Sequence, residues 1–521
     1  RGQLMGSRGS FGRSNSGNQR RGQGRERGRA NAGGKHNRTK AAPVKDSQLA
    51  PVNARRVAFD CLRAVRENDA YANLVLPKLI RRARLDKRDG ALATELVYAT
   101  CRMQGRYDAI ISHCTNRPVE QIDGDVLDVL RLGAHQILDM RIPSHAAVSS
   151  AVDLGREVAG GGAAKFINAV LRRVSERSGQ QWLQVLAQDA GIDLGTTPLE
   201  QISDVDALAV RYSHPRWIVK ALRQSLIVNG RSESDLISLL EADNQPPAVS
   251  ACARPGCISP KELIDQASRV GEGAKPGRLS PWAVTLRGGD PGRIEAIRDS
   301  RAGVEDEGSQ LCAGILAQAP LEGRDTNWLD MCAGPGGKAA LLGALAAQRG
   351  ATLLANEVSH HRTKLVADSV KALPSGVVSL RTGDGRDFGE QESGSYDRIL
   401  LDAPCSGLGS LRRRPESRWR KQESDVAELA SLQRQLLLSA LNALRSGGVV
   451  AYVTCSPHVL ETSLVVKDVL RRFKQASLLD AGEVAAQLSL NPISGCHQQM
   501  LQLWPDTDGT DAMFCALIRC D

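Results

Sequence analysis

From Asn53 to about Glu176 apolar residues recur at intervals of three and four: Ala58, Leu62 and Val65, then Leu92, Leu96 and Val97, then Val126, Leu127, Leu130 and Leu138. That period lays them along one face of a helix and predicts an all-helical domain. Pro118 and Pro143 fall between the periodic stretches, where they would stop or separate helices. In KFINAVLRRV (165–174) one side carries Phe166, Ile167, Val170 and Leu171, with Arg172 and Arg173 beside it. The arginines could form a basic rim or an ordinary solvated face.

The pattern then changes. A polar stretch at Gly191–Pro198 reads as a linker, followed by the helix-like DALAVRYSHPRWIVKAL and a Pro-rich turn, NQPPAV, at Asn244–Val249. Short strand-like and turn segments alternate to about Arg301, so residues 203–301 read as a small mixed module. From about Gly308 short apolar runs alternate with helical stretches. The runs are Asn327–Met331, Thr352–Asn356, Val377–Arg381, Asp397–Asp402, Val449–Thr454 and Met513–Arg519. Such alternation predicts a doubly wound parallel sheet, in which ligands bind outside the carboxyl ends of the strands. The expected domains are a tail at 1–47, helices at 48–190, the mixed module at 203–301 and an α/β domain at 302–521.

Composition confines the function more than it names it. The 521 residues, 41% hydrophobic and 24% charged, describe a globular chain of several domains. The formal net charge is +10, yet residues 1–45 hold twelve Lys and Arg against one acid, Glu26. The rest is close to neutral, so a nucleic-acid role cannot be argued from overall charge. Residues 1–47, rich in Gly, Arg, Ser and Asn, predict a disordered tail able to touch phosphates without reading sequence; a solubilising role explains them equally well. With aromatics at 3%, any nucleic-acid surface should depend on Arg, Lys and backbone groups. No apolar run of eighteen residues and no secretory signal is visible, so a cytoplasmic, non-membrane protein is expected. The twelve cysteines include no CxxC pair, and His113, His135 and His214 lack metal spacing, so neither a disulfide framework nor a metal is expected.

The candidate chemistry sits after the strands. The first runs into DMCAGPGGKAALL, where Gly334, Gly336 and Gly337 form a tight turn opening a helix. Such a turn lets backbone amides approach a ligand, and the helix start favours a carboxylate. With Ala339 after Gly337 and Lys338 it is not a phosphate-binding P-loop. Glu357 closes the second strand, where an acid can accept hydrogen bonds from ribose hydroxyls, and Asp384 follows the third, within reach of an adenine. Together they suggest an adenosyl cofactor. DAPCSG (402–407) and TCSP (454–457) then each place a cysteine at the ligand face. Cytosine carbon 5 is a poor nucleophile until a thiolate adds to carbon 6, which makes two cysteines beside a methyl donor chemically meaningful. Asp402 and Cys405 suit a hydrogen-bonding or acidic role at the N3 edge of the base and removal of the carbon 5 proton. Spacing alone does not rank Cys405 against Cys455.

Through DMCAGPGGK, GDGR, LLDAPCSG, RSGGVVAYVTCS and TDAMFCALI the C-terminal region resembles the RNA cytosine-5 methyltransferase family. The helical region resembles the domain of the NusB antitermination factor through LATELVYAT, VLRLGAHQIL, HAAVSSAVDL and KFINAVLRRV. The resemblance implies a Rossmann-like catalytic domain using S-adenosyl-L-methionine, an RNA-binding helical domain, a monomer, and 16S ribosomal RNA, free or in a pre-assembled subunit, as acceptor. The implied target is a cytosine of the position-967 type. Cys455 matches the family nucleophile and Cys405 the cysteine that assists release of methylated RNA. The cofactor contacts carry over to Cys332, Ala333, Gly334, Pro335, Gly336, Gly337, Lys338, Glu357, Asp384 and Asp402. The chain departs from the family pattern at Ala339, in place of Thr or Ser, after Glu461, where Thr462 replaces Asn, and at Ala512, where Gly is common. Two other readings are a noncatalytic RNA-binding assembly factor with a vestigial cofactor pocket and a methyltransferase of proteins or small molecules. The paired cysteines favour cytosine methylation, and TCS with the helical domain favours RNA over DNA.

Overall fold

The computed structural model describes residues 53–189, 204–271 and 273–521. The tail at 1–47 and the linker at Gly191–Pro198 lie outside the described residues. Residues 53–189 are helical, in segments Ala54–Glu67, Ala72–Ala83, Lys87–Thr115, Gly124–Leu138, Ser144–Val174 and Gly179–Asp189. Three starts are fixed by side chains: Asn53, Asp86 and Asp123 each accept backbone N–H groups of the first turn. Pro118 and Pro143 stand immediately before the Val119–Gln121 turn and the Ser144 helix, as expected of residues that separate helices. Ala58, Leu62, Leu96, Val97, Val126, Leu127 and Leu130 are buried in one core with Phe59, Ile110 and Ile167. Val65, Leu92 and Leu138 pack at its edge.

The mixed module divides in two. Helices Val205–Arg211, Arg216–Val228 and Leu236–Asp243 share a core with Leu408, Leu411 and Trp504 from the C-terminal region. An antiparallel sheet follows, from β1 (Val249–Ala253), β2 (Ala274–Pro276), β3 (Ala283–Leu286) and β4 (Ala302–Val304), ordered β2-β3-β1-β4. Its last strand lies just past residue 301 and leads directly into Glu305.

The C-terminal sheet contains β5 (Asn327–Asp330), β6 (Thr352–Glu357), β7 (Val378–Thr382), β8 (Tyr396–Asp402), β9 (Leu444–Thr454), β10 (Ala476–Leu479), β11 (Cys496–His497), β12 (Met500–Gln502) and β13 (Phe514–Cys520). The order is β11-β12-β13-β9-β8-β5-β6-β7, with β10 also on β13. Strands β5 to β9 are parallel, as the pattern predicts. The sixth expected strand, β13, is instead antiparallel to β9, pairing Phe514 with Thr454 and Arg519 with Val449. Between β9 and β13 the chain passes through the helices Ser463–Arg472 and Ala481–Leu488, and it reverses at β11 and β12. Their two and three residues are too short to show a period. Helices cover both faces, so the central strands are uninterrupted apolar runs rather than alternating ones: Ile399, Leu400 and Leu401, like Val449 to Val453, are buried.

One loop ties these parts together. Between β8 and the helix Glu423–Ala443 the chain reads LRRRPESRWRK (411–421). The fully buried Arg418 guanidinium donates to the carbonyls of Arg102, Ser213 and Asp243 and to Asn244 Oδ1, joining the N-terminal helices, the middle helices and the catalytic region. Trp419 Nε1 donates to the Cys101 carbonyl at 2.9 Å, and Arg420 to the carbonyls of Val65, Asp69 and Ala70. Among the described residues no helix is long and apolar enough to cross a membrane.

Candidate active site

The sequence-predicted residues converge where β5, β6, β8 and β9 end, at the point where strand order reverses. After β5 the chain turns through Cys332–Gly336, with a cis Gly334–Pro335 peptide and φ of +114° at Gly336. At Gly334 a Cβ would lie 2.2 Å from Glu357 Oε2, so any side chain there would push the Glu357 carboxylate off the turn. Glu357 is buried there: its Oε2 accepts from Gly334 N at 3.0 Å and its Oε1 from Ser359 N at 3.1 Å. Arg362 lies 3.4 Å from the same carboxylate and donates to the Gly334 carbonyl. Asp384 is turned toward its own loop, accepting from Arg386 N at 2.9 Å and Arg386 Nη2 at 2.6 Å, bonds that hold its carboxyl below the usual range.

A cavity of about 560 Å³ opens above the turn, walled by Cys332–Pro335, Gly337, Lys338, Asp402 and Cys455. Glu357 and Asp384 are not in its wall; Glu357 supports the turn from behind. Lys338 Nζ donates to Asp402 Oδ2 at 2.9 Å. Burial works against the Lys338 charge, but Asp402 and Glu305 more than offset it, and the ammonium is held above its ordinary value. Asp330, fully buried at the end of β5, also faces this cavity, and among the described residues no side chain donates to its carboxyl oxygens. Burial, reinforced by nearby Asp402 and opposed by Lys338, pushes it up to about 8.

The two cysteine loops meet here. Cys405 Sγ lies 3.3 Å from Cys455 Sγ. Either sulfur can donate in this contact, and the contact lowers the Cys455 pKa despite burial, with Lys338 and Arg414 adding to the effect. Cys405 moves the opposite way, raised by the same contact and by burial. The arrangement brings the two thiols together and places Cys455 on the cavity wall. Behind them the buried Glu461 is the tie. Its Oε1 accepts from Ser406 N at 2.7 Å and Gln433 Nε2 at 3.2 Å; its Oε2 accepts the Ser406 and Ser456 hydroxyls. Tyr452 OH donates to the Glu461 carbonyl at 2.6 Å.

Several wall residues were not singled out by the sequence. Glu305 and Asp306, just after β4, come from the edge of the middle sheet, while Arg413, Arg414 and Asp511 come from loops far apart in the chain. Arg412 and Arg413 both bridge Asp306 and Asp511. Gly409 N donates to the Cys455 carbonyl at 2.9 Å, which fixes the Cys455 loop from a third side. The acid run VEDEGSQ was the only local hint of this wall. Ala339, Thr462 and Ala512, where the chain departs from the family pattern, are all buried, and Thr462 Oγ1 donates to the His458 carbonyl at 3.0 Å.

Residues 317–519 match the family 16S rRNA methyltransferase RsmB/F and residues 52–176 match the NusB family. A putative methyltransferase of Mycobacterium tuberculosis (strain H37Rv), Rv1407, is 46% identical over 466 residues, spanning 89% of this chain and 96% of the relative. The chain belongs to the 16S rRNA methyltransferase RsmB/F family. Ribosomal RNA small subunit methyltransferase B of Escherichia coli (strain 536) is 30% identical, over 82% of this chain and 92% of its own length. The probable counterpart in Bacillus subtilis is 28% identical, over 90% and 98%. The fold is shared with the crystal structure of PH0851, at a TM-score of 0.72 and 20% identity over 89% of this chain and 98% of that one. The NusB domain joined to an RsmB/F catalytic domain is the Sun/Fmu-like arrangement, and it makes the chain a methyltransferase with an α/β catalytic domain.

Proposed function

We propose that this RsmB/F-family methyltransferase transfers a methyl group from S-adenosyl-L-methionine to carbon 5 of a cytosine in 16S ribosomal RNA, of the position-967 type, through a Cys455 adduct at carbon 6. The pair of thiols 3.3 Å apart, with Cys455 on the wall of the glycine-turn cavity, carries the reading. The residues fit the cofactor. The cavity is large enough for a nucleoside with an amino-acid arm, and the buried Asp330 and the Lys338–Asp402 pair provide polar groups within it. Cys332–Lys338 would hold the cofactor; Glu357 and Asp384 would reach its ribose and adenine only by turning from Gly334 N and Arg386, which they hold here. S-adenosyl-L-methionine, when bound, supplies an electrophilic methyl group on a sulfonium.

The Cys455 thiolate adds to carbon 6 while Asp402 holds the N3 edge, and the electron pair moves to make carbon 5 an enamine nucleophile. Carbon 5 takes the methyl group. Loss of the carbon 5 proton to a base then lets the carbon 6–sulfur bond break, returning Cys455 as thiolate and restoring the aromatic ring. Cys405 assists that release. The names of the relatives support a ribosomal RNA acceptor.

The test is transfer of tritiated methyl to unmodified 16S rRNA by wild type, Cys455→Ala and Cys405→Ala. Label in 5-methylcytidine, lost in Cys455→Ala, with a trapped protein–RNA adduct in Cys405→Ala, is expected. Undiminished transfer by Cys455→Ala overturns the mechanism, and absence of label with wild type overturns the function.

A further inference from the structure

Arg412, Arg413 and Arg414 are consecutive but differently committed. The first two are saturated by Asp306 and Asp511. Arg414 is exposed, lines the cavity that contains Cys455, and has neither an ion pair nor a side-chain hydrogen bond among the described residues. Its guanidinium lies 5.1 Å from the centre of the Tyr71 ring, which belongs to the N-terminal helical domain and is 40% exposed. The same loop anchors Tyr71: the buried Glu416 accepts from Ala72 N at 3.1 Å, Arg420 donates to the carbonyls of Asp69 and Ala70, and the Arg420 guanidinium lies 5.5 Å from the ring.

Tyr71 is the first residue before the helix Ala72–Ala83, about 18 Å long at 1.5 Å per residue. Lys78, Arg81, Arg82, Arg84, Lys87 and Arg88, on this helix and just beyond it, are exposed and form no ion pair among the described residues. A cation with a flat face fixed against a ring, left without an anion at the mouth of a catalytic cavity and continued by further free cations, suits a polyanionic strand.

We propose that Arg414, seated on Tyr71, is a phosphate-binding subsite for the acceptor RNA beside the base being modified, with the strand continuing along the helix Ala72–Ala83. This rests on the reading of the site as an RNA methyltransferase. Tyr71 acts as a positioning residue, restricting the guanidinium so that less freedom is lost when it grips a phosphate.

The experiment measures binding of unmodified 16S rRNA as a function of salt, alongside S-adenosyl-L-methionine affinity and single-turnover methyl transfer, in the full chain. Arg414→Gln is expected to weaken RNA binding about tenfold and to make the log K against log salt slope shallower by about 0.7, the value of one single-strand phosphate contact. Because Arg414 lines the cofactor cavity, cofactor affinity is the control: a loss there as large as the loss of RNA affinity overturns the subsite. Arg414→Lys should keep the slope but lose part of the affinity, as should Tyr71→Ala. The Arg81→Gln, Arg82→Gln double variant should flatten the slope further. Unchanged RNA affinity and slope in Arg414→Gln overturn the subsite, as does a loss of activity that raised pH alone restores, since that would place Arg414 solely in the electrostatics of Cys455. Unchanged slope in the double variant overturns the path. Arg414-dependent RNA binding in a wild-type protein that transfers no methyl would overturn the function and keep the subsite.

Discussion

Replacing Glu461 by Ala removes the acceptor shared by both cysteine loops. Four donors lose this acceptor: Ser406 N, the hydroxyls of Ser406 and Ser456, which keep only each other at 3.0 Å, and Gln433 Nε2, which keeps the Pro404 carbonyl at 2.8 Å. Bonds to a charged acceptor net about 1.5–3 kcal/mol each, but the four act as one network and are not additive, so a loss of about 3–5 kcal/mol is expected, as for other buried charged partners. That corresponds to a melting temperature lower by on the order of 10 °C for a domain of this size. The kinetic effect should be more specific. Ser406 and Ser456 each adjoin a cysteine, and freeing them lets the 3.3 Å sulfur–sulfur contact open; a displacement of about 1 Å at a reacting group costs about a hundredfold in rate. Neither Glu461 nor these partners line the cavity, so cofactor affinity should survive. Glu461→Gln keeps the shape and an acceptor for Ser406 N, and the two hydroxyls can rotate, so it should lose only about 1–2 kcal/mol and tenfold or less in rate. The assay is single-turnover methyl transfer at a temperature where circular dichroism shows each variant folded, with calorimetric titration of the cofactor. A folded Glu461→Ala protein that transfers methyl at the wild-type rate would refute the assignment of Glu461 as the tie.

Because the Cys405 thiol lowers the Cys455 pKa, Cys405→Ala should move alkylation of Cys455 to higher pH, read peptide by peptide with iodoacetamide; an unmoved profile would remove that influence. Asp330 offers a stability test of opposite sign. Its folded pKa of about 8 exceeds that of an unfolded aspartate, so the native state holds the extra proton, and stability should fall as pH rises from about 4 to about 8. The isosteric, uncharged Asp330→Asn should flatten that fall and be more stable at pH 8 by a few kcal/mol, since each pH unit between the two pKa values is worth about 1.4 kcal/mol. Parallel denaturation profiles for both proteins across this range would show that Asp330 is ionised without penalty.

The sequence by itself determined most of the scaffold and the chemical vocabulary. Aliphatic strands separated by helix-length stretches can bury both faces only as a covered parallel sheet, so β5 to β9 were legible, as was the placement of reactive residues at their ends. The three-and-four spacing similarly exposed the helical domain and its core. What chain-local patterns cannot show is direction and company. The short β11 and β12 carry no period, so the reversal that makes β13 antiparallel became visible only when they paired. The meeting of Cys405 and Cys455 at one point, with Lys338, Arg414 and a shared acceptor around them, needed loops fifty residues apart to fold together. The cavity wall from Glu305, Asp306 and Asp511, and the meeting of Arg414 with Tyr71, join segments up to hundreds of residues apart. Hydrophobic periodicity fixes which face of an element is buried, but the partners of a buried charge are chosen by three-dimensional packing, and only the tertiary structure decided them.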